Sequence, residues 1–179
     1  MKAELKTKTE KEENPMRRIK ITKVLISAGA VGPELEKSAK LLEIITGMKA
    51  QIIRSGPRKR IPAFGVKPNM PLGTRVTIRG GKINEKLKQL LGGIGNTIYE
   101  EQVQENHFSF GIKEYIEVPG LEYKREIGIR GFNVTIVFER PGVRVKNKKI
   151  KGGKIPGKQH VTREEIINFM EENFKTKFI

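Results

Sequence analysis

Residues 18–29 (RIKITKVLISAG) alternate polar and apolar side chains, then turn wholly apolar at Val24-Leu25-Ile26, which predicts a strand with a buried end. A second alternation at 74–79 (TRVTIR) sends Val76 and Ile78 to one face and Arg75, Thr77 and Arg79 to the other. Residues 131–139 (GFNVTIVFE) repeat the pattern, with Phe132, Val134, Ile136 and Phe138 as core. Residues 108–118 and the short 50–54 complete the expected strands. Helical spacing occurs in three stretches. Leu35, Ala39, Leu42 and Ile45 share a face within 33–46, and Gly47 follows as a C-terminal cap. Asn84 is placed to cap a helix running to Leu91. Thr162-Arg163-Glu164-Glu165 has the form of a capping box, opening a helix whose apolar face is Ile166, Ile167, Phe169 and Met170. The order predicts one α+β domain over residues 15–179, its helices packed on one face of a mostly antiparallel sheet. Residues 1–14 lack apolar periodicity and read as a disordered tail.

Two connections exceed ordinary loop lengths: 55–73 (SGPRKRIPAFGVKPNMPLG) and 140–161 (RPGVRVKNKKIKGGKIPGKQHV). Loops this long inside a domain are usually functional or disordered. Charge distinguishes them further. Three windows, 14–33, 44–84 and 140–163, hold 22 of the 36 Lys and Arg and none of the 20 acids. The rest is mildly acidic, although the whole chain carries +16. Counterion release from phosphate rewards cations gathered on one surface, whereas a coat for solubility intersperses both signs. The pattern points to nucleic acid.

The inventory excludes much else. Cysteine and aspartate are absent, and the only imidazoles are His107 and His160. Disulfides, thiol catalysis, a Ser-His-Asp triad, an Asp-bound magnesium cluster and an EF-hand cannot be built from these residues. The histidines are distant in sequence and lack companions, so no catalytic residue, metal or cofactor is expected. The longest mostly apolar run, 24–31, is far short of the ~20 residues a spanning helix needs. With the polar start MKAELKTKTEKEEN, this implies no membrane partner and a cytosolic or ribonucleoprotein location.

Several motifs fail on inspection. Gly29-Ala30-Val31-Gly32 lacks the third glycine and the acidic ribose partner of a dinucleotide fold. No Gly-Lys pair is followed by Ser or Thr, so there is no P-loop. Arg130-Gly131-Phe132 begins like an RNP1 signature, but Asn133 and Val134 break it. The sharpest constellation is the 75–79 strand. Its polar face offers guanidinium, hydroxyl and guanidinium at steps of roughly 7 Å, suited to phosphate and ribose across an RNA minor groove.

The stretches ITKVLISAG, LLEIITGMKAQI, RKRIPAFGVKPNMPLGTRVTIRG, NHFSFGIKEYIEVPGLEY, EIGIRGFNVTIVFERPG and IPGKQHVTREEIINFM resemble, in order and spacing, the large-subunit ribosomal protein five family, the universal 5S rRNA binder. The RPGVRVK…IPGKQHVT segment is similar to its archaeal and eukaryotic branch. The resemblance implies a structural constituent of the large ribosomal subunit, cytoplasmic and monomeric within the ribosome. Such a protein would bind 5S rRNA, help anchor it in the central protuberance beside neighbouring ribosomal proteins, and contact peptidyl-site tRNA.

The resemblance implies 5S rRNA contacts at Ser27, Met48, Phe64 and Thr77, and the polar face of the 75–79 strand adds Arg75 and Arg79 to the expected 5S rRNA contacts. Ser27 and Met48 stand where the family often has Asn and Gln. The implied tRNA-facing loop comprises Arg58, Lys59, Arg60, Phe64, Lys67, Pro68, Asn69 and Met70. The basic arm expected on large-subunit rRNA carries Arg144, Lys146, Lys148, Lys149, Lys151, Lys154 and Lys158. From the residues alone, two alternatives stay open: a Lys/Glu-dependent phosphodiesterase acting on RNA, and an RNA chaperone without a fixed address.

Overall fold

A computed structural model describes residues 14–179. The expectation of a disordered tail falls outside the described residues except at Asn14, whose side chain accepts the Met16 N–H (3.0 Å) at a short 3-10 turn, Pro15–Arg17. β1 (Lys20–Gly29) lies inside a six-stranded sheet ordered β2-β3-β1-β7-β6-β5, antiparallel throughout. The other strands are β2 (Gln51–Arg54), β3 (Pro71–Ile78), β5 (Val103–Gln104), β6 (His107–Ile112) and β7 (Phe132–Glu139). Two-residue strands β4 (Thr97–Ile98) and β8 (Lys177–Phe178) pair in parallel as a separate clip.

All longer helices pack on one side of the sheet. α1 (Glu34–Thr46), α2 (Lys82–Gly92) and α4 (Arg163–Phe174) bury Leu41, Leu42, Ile45, Leu87, Leu90, Leu91, Ile166 and Met170. These meet Val24 and Ile26 of β1, Val76 and Ile78 of β3, and the β7 row Phe132, Val134, Ile136 and Phe138. Phe108 stacks between Phe110 and Phe138, with centroids 6.1 and 5.8 Å away, and Phe138 meets the edge of Phe169 on α4. Burying each of these side chains contributes about 1.5–3 kcal/mol. The period-two pattern thus places the three longer helices on the same side and leaves the other face of the sheet, among the described residues, without a long helix.

Local signals explain most boundaries. Gly47 ends α1 at φ 68°, a left-handed conformation that glycine adopts without a Cβ clash, and its N–H bonds the Glu43 carbonyl (2.7 Å). At α4 both halves of the capping box form, with the Thr162 N–H donating to Glu165 Oε2 (3.0 Å). α2 departs from expectation. It begins at Lys82, so Asn84 lies within the first turn and caps nothing. The early start puts Ile83 on the same buried face as Leu87, Leu90 and Leu91.

The strand expected over 108–118 stops at Ile112 and gives way to a 3-10 turn, Tyr115–Glu117. Tyr115 and Val118, three apart, are the buried residues there, and that spacing fits a turn rather than a pleat. The result is a third long connection, 113–131. The Lys124 N–H donates to the buried Tyr115 hydroxyl (2.8 Å), pinning it.

Candidate nucleic-acid interface

The helix-free face is built in rows. Gln51, Arg75, Ser27, Asn133 and Gly111 stand opposite one another across β2, β3, β1, β7 and β6. The next row is Thr77, Leu25, Thr135 and Ser109, with the last two hydroxyls 2.9 Å apart. Lys23, Val137, His107 and Gln104 make a third. The only acid in these six strands is Glu139, at the far end of β7.

Arg75 is exposed, and its Nε donates to Gln51 Oε1 (3.0 Å), which holds the guanidinium plane while no carboxylate among the described residues pairs with it. Such an arrangement presents charged and neutral donors to an anionic backbone at strand spacings of about 4.8 Å. Beside Ser27 the face deepens into a recess of about 400 Å³, lined also by Gly111, Lys113 and Asn133.

The candidate residues divide among several elements. Arg75 and Thr77 share the open face, as the alternation implied, and strand pairing sets Ser27 beside Arg75. Arg79 does not join them: β3 ends at Ile78, and Arg79 is exposed at the turn into α2. Met48 lies in the turn between α1 and β2, where its N–H bonds Thr46 Oγ1 (3.2 Å). Phe64 is on a loop tip and 76% exposed. Asn133 and Lys113 escaped the sequence reading, although the same alternation that put Phe132 and Val134 inward put Asn133 outward.

The loop is more ordered than its Gly and Pro content implied. Its base closes through the Ser55 N–H to the Met70 carbonyl (2.8 Å), and farther out Ile61 and Val66 exchange backbone bonds of 3.1 and 3.0 Å. Between them Pro62–Phe64 forms a 3-10 turn ended by Gly65 at φ 62°. Val66 is buried, while Arg58, Lys59, Arg60, Lys67, Pro68 and Asn69 are exposed and Met70 is half-buried.

Within 140–161, the one-turn helix α3 (Arg144–Asn147) and a 3-10 turn, Gly157–Gln159, interrupt an otherwise irregular path. Arg144, Lys146, Lys148, Lys149, Lys151, Lys154 and Lys158 are all exposed. Two cations of the acid-free window 140–163 have other duties. Arg163 pairs with Glu100 (3.1 Å). Arg140 is 9% exposed, and its Nη2 reaches both Glu165 oxygens at 2.5 and 2.6 Å. Partial burial pushes the Glu165 carboxyl up, but the Thr162 backbone bond and the Arg140 guanidinium outweigh it and hold the carboxyl below its ordinary range.

Among the described residues no group of three or more His, Cys, Asp or Glu is placed to hold a metal, and no helix is long and apolar enough to cross a membrane. His160, distant from His107 in sequence, is brought against Asn106, whose Nδ2 lies 2.9 Å from its Nδ1.

A single α+β domain whose open sheet face carries, among the described residues, no long helix and one strand acid, with two exposed basic loops, defines a protein shaped to meet a polyanion. Comparison with known proteins narrows this class. Residues 71–169 match the family model of the ribosomal L5P family C-terminus. The large ribosomal subunit protein uL5 of Methanobrevibacter smithii is 34% identical over 168 residues, covering 93% of this chain and 98% of that protein. The uL5 proteins of Sulfolobus acidocaldarius (37%, covering 94% and 96%) and Nanoarchaeum equitans (35%, covering 93% and 99%) match similarly. The chain belongs to the ribosomal L5P family. It is a structural, non-enzymatic protein of the large ribosomal subunit, located in the ribosome in the cytoplasm.

Proposed function

We propose that this protein binds 5S rRNA through the helix-free face of its sheet, helps anchor that RNA in the central protuberance, and presents the 58–70 loop to peptidyl-site tRNA. The basic arm reaches large-subunit rRNA. The observation that carries the reading is the row Gln51, Arg75, Ser27, Asn133 and Gly111 on a face whose only strand acid is Glu139. A sheet with its longer helices on one side leaves its other face open to a partner, and donors without carboxylates suit phosphate and ribose. Ser27, Thr77 and Arg75 supply the 5S rRNA contacts of the face. Met48, Phe64 and Arg79 extend them from neighbouring turns.

Phe64 serves the loop differently. A phenyl ring that is three-quarters exposed adds little to folding, and an aromatic face stacks on an unpaired base. The test is titration of the purified protein with 5S rRNA, with an unrelated duplex RNA of equal length as the control, at matched salt. Tight binding to 5S rRNA that survives salt which abolishes duplex binding supports the reading. Equal affinity and equal salt dependence for both would sink it.

A further inference from the structure

The basic arm leaves the sheet at the end of β7 and returns at α4, and its two ends are tied together mainly by side chains. Arg140 Nη1 donates to the Lys158 carbonyl (3.2 Å). Gln159 Nε2 donates to the Pro141 carbonyl (2.9 Å) and to the Met16 carbonyl (3.3 Å). From the β5–β6 turn, Asn106 Oδ1 accepts the Val161 N–H (2.9 Å), and the Asn106 N–H donates to the Val161 carbonyl (3.1 Å). Because Val161 fixes which end of the amide is oxygen, Nδ2 must face His160, and His160 Nδ1 is its acceptor. Asn106 sits at φ 65°, a left-handed conformation that Asn tolerates better than most residues. Beyond these ties the arm is held by one helical turn and a single backbone bond from the Gly153 N–H to the Val145 carbonyl (3.2 Å), with little apolar packing: Val145 and Ile150, its apolar residues between 144 and 154, are both exposed.

We propose that Asn106, Arg140 and Gln159 form a collar that fixes the two ends of the basic arm and so positions its lysines for large-subunit rRNA. They are positioning residues, acting through Lys148, Lys149, Lys151 and Lys154. A loop whose ends are already fixed has less conformational freedom to lose on binding, so the collar raises affinity without adding a contact. This gives it a signature distinct from that of the lysines. Loss of a lysine removes a phosphate contact and flattens the dependence of log affinity on log salt. Loss of the collar lowers affinity while leaving that slope intact, because the same lysines reach phosphate in the complex. The inference rests on the reading of the arm as an rRNA-binding segment, and the experiment separates the two.

The full chain is titrated with protein-free large-subunit rRNA, and separately with 5S rRNA, at several salt concentrations, with thermal midpoints recorded. Asn106→Gly keeps the left-handed backbone and deletes the side-chain ties. Gln159→Ala removes a half-buried amide whose loss leaves the core untouched. The expected result is an affinity for large-subunit rRNA about tenfold lower for Asn106→Gly, and lower by a smaller factor for Gln159→Ala. Slopes and 5S rRNA affinity should equal those of wild type. If Lys148, Lys149, Lys151 and Lys154 changed together to Gln leave the slope unchanged, the arm does not bind this RNA and the underlying reading fails. If the lysine variant flattens the slope while both collar variants bind like wild type, the collar is overturned and the arm reading stands. Equal losses on both RNAs in Gln159→Ala would likewise overturn it, since a positioning role is confined to the arm.

Discussion

The loop at 55–70 is closed by its own backbone: Ser55 bonds Met70 and Ile61 bonds Val66, with Val66 buried and Phe64 exposed. The arm at 140–161 has Arg144 and its lysines in solvent and is gathered at its base by Arg140, Asn106 and Gln159. Both segments are acid-free and rich in Gly and Lys or Arg. They differ in what fixes them. A loop with a backbone bridge near its tip holds one shape, which suits a partner recognised by shape. An arm gathered mainly at its base, with one backbone bond farther out from the Gly153 N–H to the Val145 carbonyl (3.2 Å), offers charge in a more adaptable arrangement, which suits phosphates read for their charge.

The sharpest way to break this comparison is to remove charge from the arm. Changing Lys148, Lys149, Lys151 and Lys154 to Gln should flatten the log-affinity against log-salt slope on large-subunit rRNA by roughly three units, at about 0.7–0.9 per phosphate contact. The free protein should melt no earlier, because mutually repelling charges are removed. An unchanged slope would make these lysines solvated bystanders.

Next comes the base of the arm. Arg140→Ala should lower stability by about 2 kcal/mol, below the usual range for a broken buried pair because Glu165 keeps some access to water. The same pair sets a pH dependence. The folded carboxyl of Glu165 lies below its reference value of 4.5, so its contribution is fully present above that pH and is lost as the pH falls through the lowered folded value. Urea midpoints of wild type and Glu165→Gln should therefore differ at pH 6 and converge as the pH drops below about 4.5. A gap that widens on acidification would contradict the assignment.

In the loop, neighbouring residues should separate cleanly. Val66→Ala should cost about 2 kcal/mol, since it opens space under the turn, whereas Phe64→Ala should stay within ~0.5 kcal/mol of wild type. Crosslinking on whole ribosomes should show the reverse for function, with the tRNA crosslink abolished in Phe64→Ala and retained in Val66→Ala. A large drop in stability for Phe64→Ala would mean that the ring packs against the body.

The elements that could be read from the chain are those in which one face decides everything. In β3 and β7 alternation fixed both the strand and the inward row, down to Phe132, Val134, Ile136 and Phe138, and in β1 it held up to the apolar run Val24-Leu25-Ile26. The same alternation placed Arg75 and Thr77 outward, so half of the open face is legible in the order of residues alone. The other half required strand order, because only pairing brings Ser27 beside Asn133 and Asn133 beside Gly111. Two-residue strands such as β4, β5 and β8 carry too few residues to show a period. Arg140 looked like one more arm cation, and nothing local reveals that Glu165, already assigned to a cap, also neutralises it. Asn84 misled for a related reason: its capping preference yielded to burial of Ile83.

The central claim is that one side of the sheet holds the fold together and the other meets RNA, and β3 contains both in adjacent residues. Arg75→Ala, Val76→Ala and Thr77→Ala should be compared for urea stability and for 5S rRNA affinity at matched salt. Val76→Ala should lose about 2 kcal/mol of stability and, once folded, bind like wild type. Arg75→Ala and Thr77→Ala should keep near-wild-type stability and each lose roughly 1–3 kcal/mol of 5S rRNA affinity. Wild-type affinity in both polar variants would contradict the account, because the open face would then be solvent-facing surface rather than the RNA-binding side.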